Sequence, residues 1–253
     1  MTLSAQESLW SAAPERPILA SDEAHIWRAR LNLSASHMQA LEQTLAADER
    51  QRASQFRFSR DRARFIAARG MLRSILGRYL SREPQTLRFS YNEYGKPALA
   101  DEVGSEPLLF NLAHSHDLAL YAITRCGAIG IDLEQISPAG ADYEQIATRF
   151  FSPHEVYALQ AVAAQDKQEA FLNCWTRKEA YVKARGLGLS LDLNLFDVSL
   201  APGEPAALLA TREEGQDSSD WSLHALSPGP GYVAALAVQG QPASLTCWQQ
   251  AGG

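Results

Sequence analysis

The chain has 253 residues, 46% hydrophobic and 21% charged, a soluble composition with enough apolar side chain for one large core or two modest ones. It has nothing near the roughly 18 consecutive apolar residues of a membrane span, no basic-then-apolar leader in MTLSAQESLW, and three widely spaced cysteines, Cys126, Cys174 and Cys247; a secretory signal, a disulfide framework and a zinc spacing are not expected, and a reducing cytoplasm is. The formal charge of −6 hides eleven arginines between Arg50 and Arg88 against Asp61 and Glu83, a local +9 that leaves −15 elsewhere; lacing such a helix with ion pairs needs acids at i±4, so the block reads as an anion-binding surface.

After a loose start with Pro14 and Pro17, residues 25–33 alternate, with Trp27, Ala29, Leu31 and Leu33 on one face and Arg28, Arg30 and Asn32 on the other. This is the pattern of a half-buried strand. Ser36 is placed to cap a helix over 37–53. A second helix over 61–80 carries Phe65, Leu72, Ile75, Leu76 and Tyr79 at helical spacing and stops at Ser81 before Glu83-Pro84. A short strand near 86–91, the turn NEYGKP at 92–97 and an acidic loop at 101–106 lead into three strands, LLFNLAH, LALYAITR and AIGIDLE, over 108–134. Helices follow over 142–151, 153–165 and 166–185, with Ser152-Pro153 as cap and first-turn proline and Gly186 and Gly188 as stops. Strands near 195–200, 221–226, 231–238 and 244–248 come last. Strand, helices and strands thus occur twice about a seam at 125–130, and each half reads as α+β.

In AIGIDLE, Asp132 and Glu134 stand two apart on a strand and share one face. The two carboxylates repel; a hard divalent cation between them relieves this, and so does a solvent-facing acidic strand. On the helix over 166–185, Phe171, Leu172, Trp175 and Val182 form an apolar stripe with Glu179 inside it, where an unmatched carboxylate is costly. Lys183 lies one turn on, at i+4. Three carboxylates and a lysine suit a magnesium–polyphosphate site, because magnesium takes a few carboxylates, waters and phosphate oxygens. Of four lysines, 96, 167, 178 and 183, three fall within NEYGKP or WTRKEAYVK.

In combination, GIDLE (130–134) and WTRKEAYVKARGLGLS (175–190) resemble the Sfp-type 4′-phosphopantetheinyl transferases, whose pattern is G-I/V-D-x-E followed by W-x-x-K-E-A/S-x-x-K-x-x-G-x-G-L. EYGKPAL (93–99), FNLAHSHD (110–117), RFFSPHE (149–155) and RDRARFIAARGMLR (60–73) resemble further family segments, so the likeness spans roughly residues 45–200.

The resemblance implies the 4′-phosphopantetheinyl transferase fold, an α+β pseudo-dimer of two similar halves with the active site in the cleft between them. Residues 1–125 would form the half facing the 3′-phosphate and adenine of coenzyme A, and residues 126–253 the half facing the metal and pyrophosphate. The implied reaction is that of a holo-acyl-carrier-protein synthase: the phosphopantetheine arm of coenzyme A moves to a serine of an acyl, peptidyl or aryl carrier protein, and adenosine 3′,5′-bisphosphate leaves. A two-half chain needs no second copy, so a monomer is expected, with no nucleic acid or membrane as partner. By matching position, Asp132, Glu134 and Glu179 are expected to hold Mg²⁺ and Lys183 to contact the pyrophosphate. His114 and Arg64, with Arg52, are expected to clasp the 3′-phosphate, and Lys96 and Pro97 to line the adenine pocket. Glu179 is the expected base toward the carrier serine. The serine that usually precedes the family's histidine is Ala113 here, which removes a hydroxyl that could bond a phosphate of coenzyme A. Two readings from other classes stand beside this one. A metal-dependent nuclease uses acids and a lysine, though usually on one strand, and a non-catalytic coenzyme A- or carrier-binding protein would not need the full carboxylate set.

Overall fold

A computed structural model describes residues 10–100, 107–136 and 142–250. A short strand β1 (Ser11–Ala12) precedes β2 (Glu23–Arg30), the alternating segment. The one helix expected over 37–53 is two, α1 (Ala35–Thr44) and α2 (Ala47–Ser54), because Leu45 and Ala46 are extended between them. The cap is Ser34 rather than Ser36: its hydroxyl accepts from His37 N. Helix α3 (Ser59–Leu80) ends at Ser81 in the left-handed region, φ 50°. Strands β3 (Phe89–Tyr91) and β4 (Pro97–Leu99) pair around the NEYGKP turn; the acidic loop at 101–106 lies outside the described residues. Then come β5 (Leu109–Ser115), β6 (Leu118–Thr124) and β7 (Ile129–Gln135), followed by α4 (Tyr143–Phe150), α5 (Pro153–Ala161) and α6 (Lys167–Arg185). Strands β8 (Phe196–Val198), β9 (Leu208–Thr211), β10 (Trp221–Leu226), β11 (Tyr232–Gln239) and β12 (Ser244–Gln249) complete the order. Neither β4 nor β9 is long enough to show a clear alternation in sequence.

Two main sheets, β1-β12-β2-β6-β5 and β10-β11-β7, pack through a shared apolar layer that includes Ile26, Leu120 and Ala122 from the first and Ile131, Leu236 and Val238 from the second. These side chains are almost wholly buried, so truncating Ile131 or Leu236 to alanine loses their burial and leaves a cavity, costing about 2–5 kcal/mol. Helix α3 covers the first sheet, with Ala68, Leu72, Ile75 and Leu76 among the residues clustered with Trp27 and Tyr121. Helix α6 covers the second, with Ala180, Tyr181 and Ala184 clustered with Ala235 and Ala237. The architecture is therefore α+β, two similar halves, each a sheet backed by a long helix. Strand β12 crosses the 125/126 division: it runs parallel to β2, Cys247 opposite Ile26, and so extends the first sheet.

At the junction, side chains of β5 hold β7. Asn111 Oδ1 accepts from Ile131 N at 2.9 Å, and Ser115 Oγ accepts from Gln135 N at 3.2 Å. The period of two then sends Ile129, Ile131 and Leu133 into the inter-sheet layer and turns Gly130, Asp132 and Glu134 toward α6. Glycine is required at 130, because a Cβ there would stand 2.1 Å from Ala180 O and 2.3 Å from Ala184 N. Helix α6 lies directly on the strand that carries the two acids.

The +9 segment is more internally committed than its charge suggests. Glu49, one residue outside it and 2% exposed, ion-pairs with Arg69 and accepts a hydrogen bond from Arg73, each Nε at 2.6 Å. Arg73 also donates to Pro84 O and Leu87 O. Arg62 pairs with Glu42 at 3.1 Å and Arg64 with Asp117 at 2.8 Å, while Arg78 lies over the Trp27 ring. Apart from Asp61, which pairs with Arg60, the neutralising acids come from outside the segment, where a count of i±4 partners within it does not reach.

Candidate active site

With α6 seated on β7, Lys183 Nζ donates to Asp132 Oδ1 at 2.6 Å. Asp132 Oδ2 is buried and has no hydrogen-bond partner among the described residues. Glu134 Oε2 accepts from Ser115 Oγ at 3.1 Å. Burial, followed by the charge of Asp132, holds both Glu134 and Glu179 above the usual carboxylate range, and Lys183 pulls each partly back. One lysine thus offsets three mutually repelling acids only in part.

This donor set fits magnesium in kind: it is all carboxylate oxygen, short of positive charge, with an orphaned buried Oδ2. Among the described residues no group of three or more His, Cys, Asp and Glu side chains already stands in a metal-holding arrangement. Lys183 occupies the Oδ1 side of Asp132 instead.

His114 sits where the halves meet. Burial, then the charges of Lys183 and Arg64, hold its imidazole below the usual histidine range. Arg64 Nη2 donates to Asp117 Oδ1, and its Nε is buried without a hydrogen-bond partner among the described residues. Ala113 is buried in the layer between the sheets, on the face of β5 opposite His114. Arg52 lies on α2 with its guanidinium 5.5 Å from the Phe65 ring centroid; among the described residues, no hydrogen bond or ion pair joins it to His114 or Arg64.

A cavity of about 520 Å³ opens beside these groups. The first half lines it with Tyr94, Lys96, Pro97, Asn111 and Leu112; the second contributes Phe150, Trp175, Glu179, Val182, Lys183 and the loop through Gly186, Gly188 and Leu189. Lys96 is half-buried, and its Nζ donates to Ile129 O at 3.1 Å and Ala184 O at 3.0 Å. Burial lowers this amine to about 8.

Asn111, Ser115 and Asn92 hold the elements around the site together through hydrogen bonds to β7, Glu134 and the end of α6, and the sequence motifs gave them no role. Asn111 and Ser115 leave a signal: they are polar residues four apart in β5, hence on the same face as the apolar Leu109 and Ala113. Lys178, inside WTRKEAYVK, is structural. It is fully buried, paired with Glu155 at 2.7 Å, and donates to Leu193 O and Phe196 O. Glu155 in turn accepts from Ser152 N and Val198 N. Part of the RFFSPHE and WTRKE pattern therefore anchors α5, α6 and β8 to one another.

Residues 128–237 match the family model described as 4′-phosphopantetheinyl transferase superfamily, and residues 25–125 match the one described as 4′-phosphopantetheinyl transferase, N-terminal. The chain is 45% identical over 231 residues to 4′-phosphopantetheinyl transferase HetI of Nostoc sp., covering 91% of this chain and 94% of that protein. It is 32% identical over 156 residues to 4′-phosphopantetheinyl transferase Sfp of Bacillus subtilis, covering 62% and 66%. With 4′-phosphopantetheinyl transferase AcpT of Escherichia coli K12 it shares 39% identity over 125 residues, covering 49% and 58%.

Proposed function

Because the chain belongs to the 4′-phosphopantetheinyl transferase family, we propose that it transfers the phosphopantetheine arm of coenzyme A to a serine of an apo acyl or peptidyl carrier protein, as a holo-acyl-carrier-protein synthase does. The observation that carries the assignment of the site is the cluster of Asp132, Glu134 and Glu179 around Lys183 beside a cavity shared by both halves. In this reading residues 1–125 serve the 3′-phosphate and adenine, and residues 126–253, apart from β12, serve the pyrophosphate. The protein acts as a cytoplasmic monomer. Among the described residues, no helix is long and apolar enough to cross a membrane.

Asp132, Glu134 and Glu179 would hold Mg²⁺, which when bound supplies positive charge for the pyrophosphate. Lys183 contacts the pyrophosphate and offsets charge growing on the departing 5′-phosphate. Arg64 and His114, with Arg52, hold the 3′-phosphate; the unused Nε of Arg64 supports its part in this. Pro97 and the aliphatic stem of Lys96 wall the adenine side. Displacement at phosphorus needs positioning and charge neutralisation more than covalent help. The serine Oγ gives its proton to Glu179 and bonds to the phosphorus that carries pantetheine. The bond from that phosphorus to the bridging oxygen breaks, and adenosine 3′,5′-bisphosphate leaves. A pKa raised by burial and by the charge of Asp132 makes Glu179 a stronger base than an exposed glutamate.

The test is incubation with coenzyme A, Mg²⁺ and apo acyl and peptidyl carriers, read by intact mass. One phosphopantetheine per carrier is expected, and none on a carrier whose acceptor serine is alanine. Failure on every carrier together with cleavage of nucleic acid would overturn the reading in favour of a nuclease.

A further inference from the structure

The tip of the β3–β4 hairpin, from the first half, closes the C-terminal end of α6, in the second. Asn92 Oδ1 accepts from Tyr94 N and Lys96 N at 3.1 and 2.8 Å, which shapes the turn, and Asn92 Nδ2 donates to Gly186 O at 2.7 Å. The last carbonyls of a helix have no partner inside it. Ala184 O is one of these, and it accepts from Lys96 Nζ. The same ammonium reaches Ile129 O on β7, and its charge suits the negative end of the helix.

Glycines seat the tip. Gly186 and Gly188 have φ of 69° and 54°, and added Cβ atoms would stand 3.3 Å from Asn92 Nδ2 and Lys96 Cδ at the first and 3.3 Å from Tyr94 Cβ at the second. The GLG of this loop thus ends the helix and makes room for the hairpin.

We infer that Asn92 and Lys96 are positioning residues, whose hydrogen bonds cap α6 from the opposite half and fix it against β7, setting Glu179 and Lys183 in place against Asp132 and Glu134. The Lys96 ammonium is turned onto backbone carbonyls; its role is to hold the two site-bearing elements together rather than to bind coenzyme A. The consequence for turnover rests on the proposed transferase reading; the consequence for α6 does not.

Two variants of the full chain test this. Lys96→Met keeps the stem and removes the ammonium, and Asn92→Asp keeps the acceptor that shapes the turn and removes the donor to Gly186. Hydrogen–deuterium exchange over residues 179–190 is followed beside kcat and KM for coenzyme A. Both variants should exchange about tenfold faster at the last turn of α6 and the loop after it, with β2 and β6 unchanged. Turnover should fall about tenfold or more while KM for coenzyme A stays within about threefold. Lys96→Arg should restore part of the protection. Unchanged exchange at the end of α6 overturns the inference whatever happens to activity. So does a raised KM for coenzyme A with protection intact, which would make the ammonium a ligand contact, and so does acceleration spread evenly over both sheets. If Lys96→Met does not fold, Asn92→Asp decides. Absence of transfer by the unaltered protein would sink the transferase reading alone, and the exchange measurement would still decide the clamp.

Discussion

Lys183 donates to Asp132 Oδ1 on the neighbouring strand at 2.6 Å, so its ion pair crosses from α6 to β7 instead of running along the helix to Glu179. The lysine is the positive charge that these elements themselves supply to the acid cluster. Lys183→Ala should therefore destabilise the ligand-free protein by about 1.5–3 kcal/mol, the range for a charged hydrogen bond lost from a partly buried site, as read from urea unfolding. The same variant should bind Mn²⁺ alone more tightly by calorimetry, because three uncompensated carboxylates then face the ion.

Gly130→Ala tests the contact that aligns the cluster. Its new methyl would meet Ala180 O at 2.1 Å and Ala184 N at 2.3 Å, both backbone atoms. The helix must move off the strand, costing about 1–3 kcal/mol or more and displacing Glu179 and Lys183 from Asp132. A lowered melting temperature with a loss of turnover is the expected pair of results.

Arg64 and His114 are assigned to the 3′-phosphate, so their removal should be felt only by a substrate that has one. Arg64→Ala and His114→Ala should raise KM for coenzyme A about 10- to 100-fold, the equivalent of one charge-assisted hydrogen bond. With 3′-dephospho-coenzyme A, each should differ little from the unaltered enzyme. Steady-state kinetics with the two substrates makes the comparison.

Lys96 gives a dependence on pH with a definite sign. Burial lowers its amine from an ordinary 10.5 to about 8, so between these values the unfolded chain binds the proton more than the folded one does. Stability should then rise with pH across the window from about 8 to 10.5, relative to Lys96→Met, which has nothing to titrate. Denaturant midpoints for both proteins at matched pH provide the check.

Much of this site was legible in local pattern. The alternation in AIGIDLE placed Asp132 and Glu134 on one face, and the apolar stripe from Phe171 to Val182 enclosed Glu179; the structure has both, with the strand face turned to α6 and Glu179 lining the cavity. What pattern could not convey was partnership. Periodicity tells which face a residue occupies but not which distant element covers it, so Lys183 reads as a partner of Glu179 when it pairs with Asp132. For the same reason Glu49 goes unnoticed beneath Arg69 and Arg73, and β12 reads as part of the second half although it lies beside β2. The break at Leu45 and Ala46 was hidden differently: neither residue is a helix breaker, and the cap that opens α2 is Glu49 reaching back to Ala46 N.

The most direct test of the account compares the unaltered protein with Glu179→Gln in one assay, intact mass of an apo carrier after incubation with coenzyme A and Mg²⁺. The substitution keeps the size of a half-buried side chain and removes its ability to take a proton. Full conversion to the phosphopantetheinylated carrier is expected of the unaltered protein. The variant should be slower by about 10²–10⁴-fold, the range for a general base, with an unchanged circular dichroism spectrum. Conversion by Glu179→Gln at the unaltered rate, or an unmodified carrier from both proteins, would contradict it.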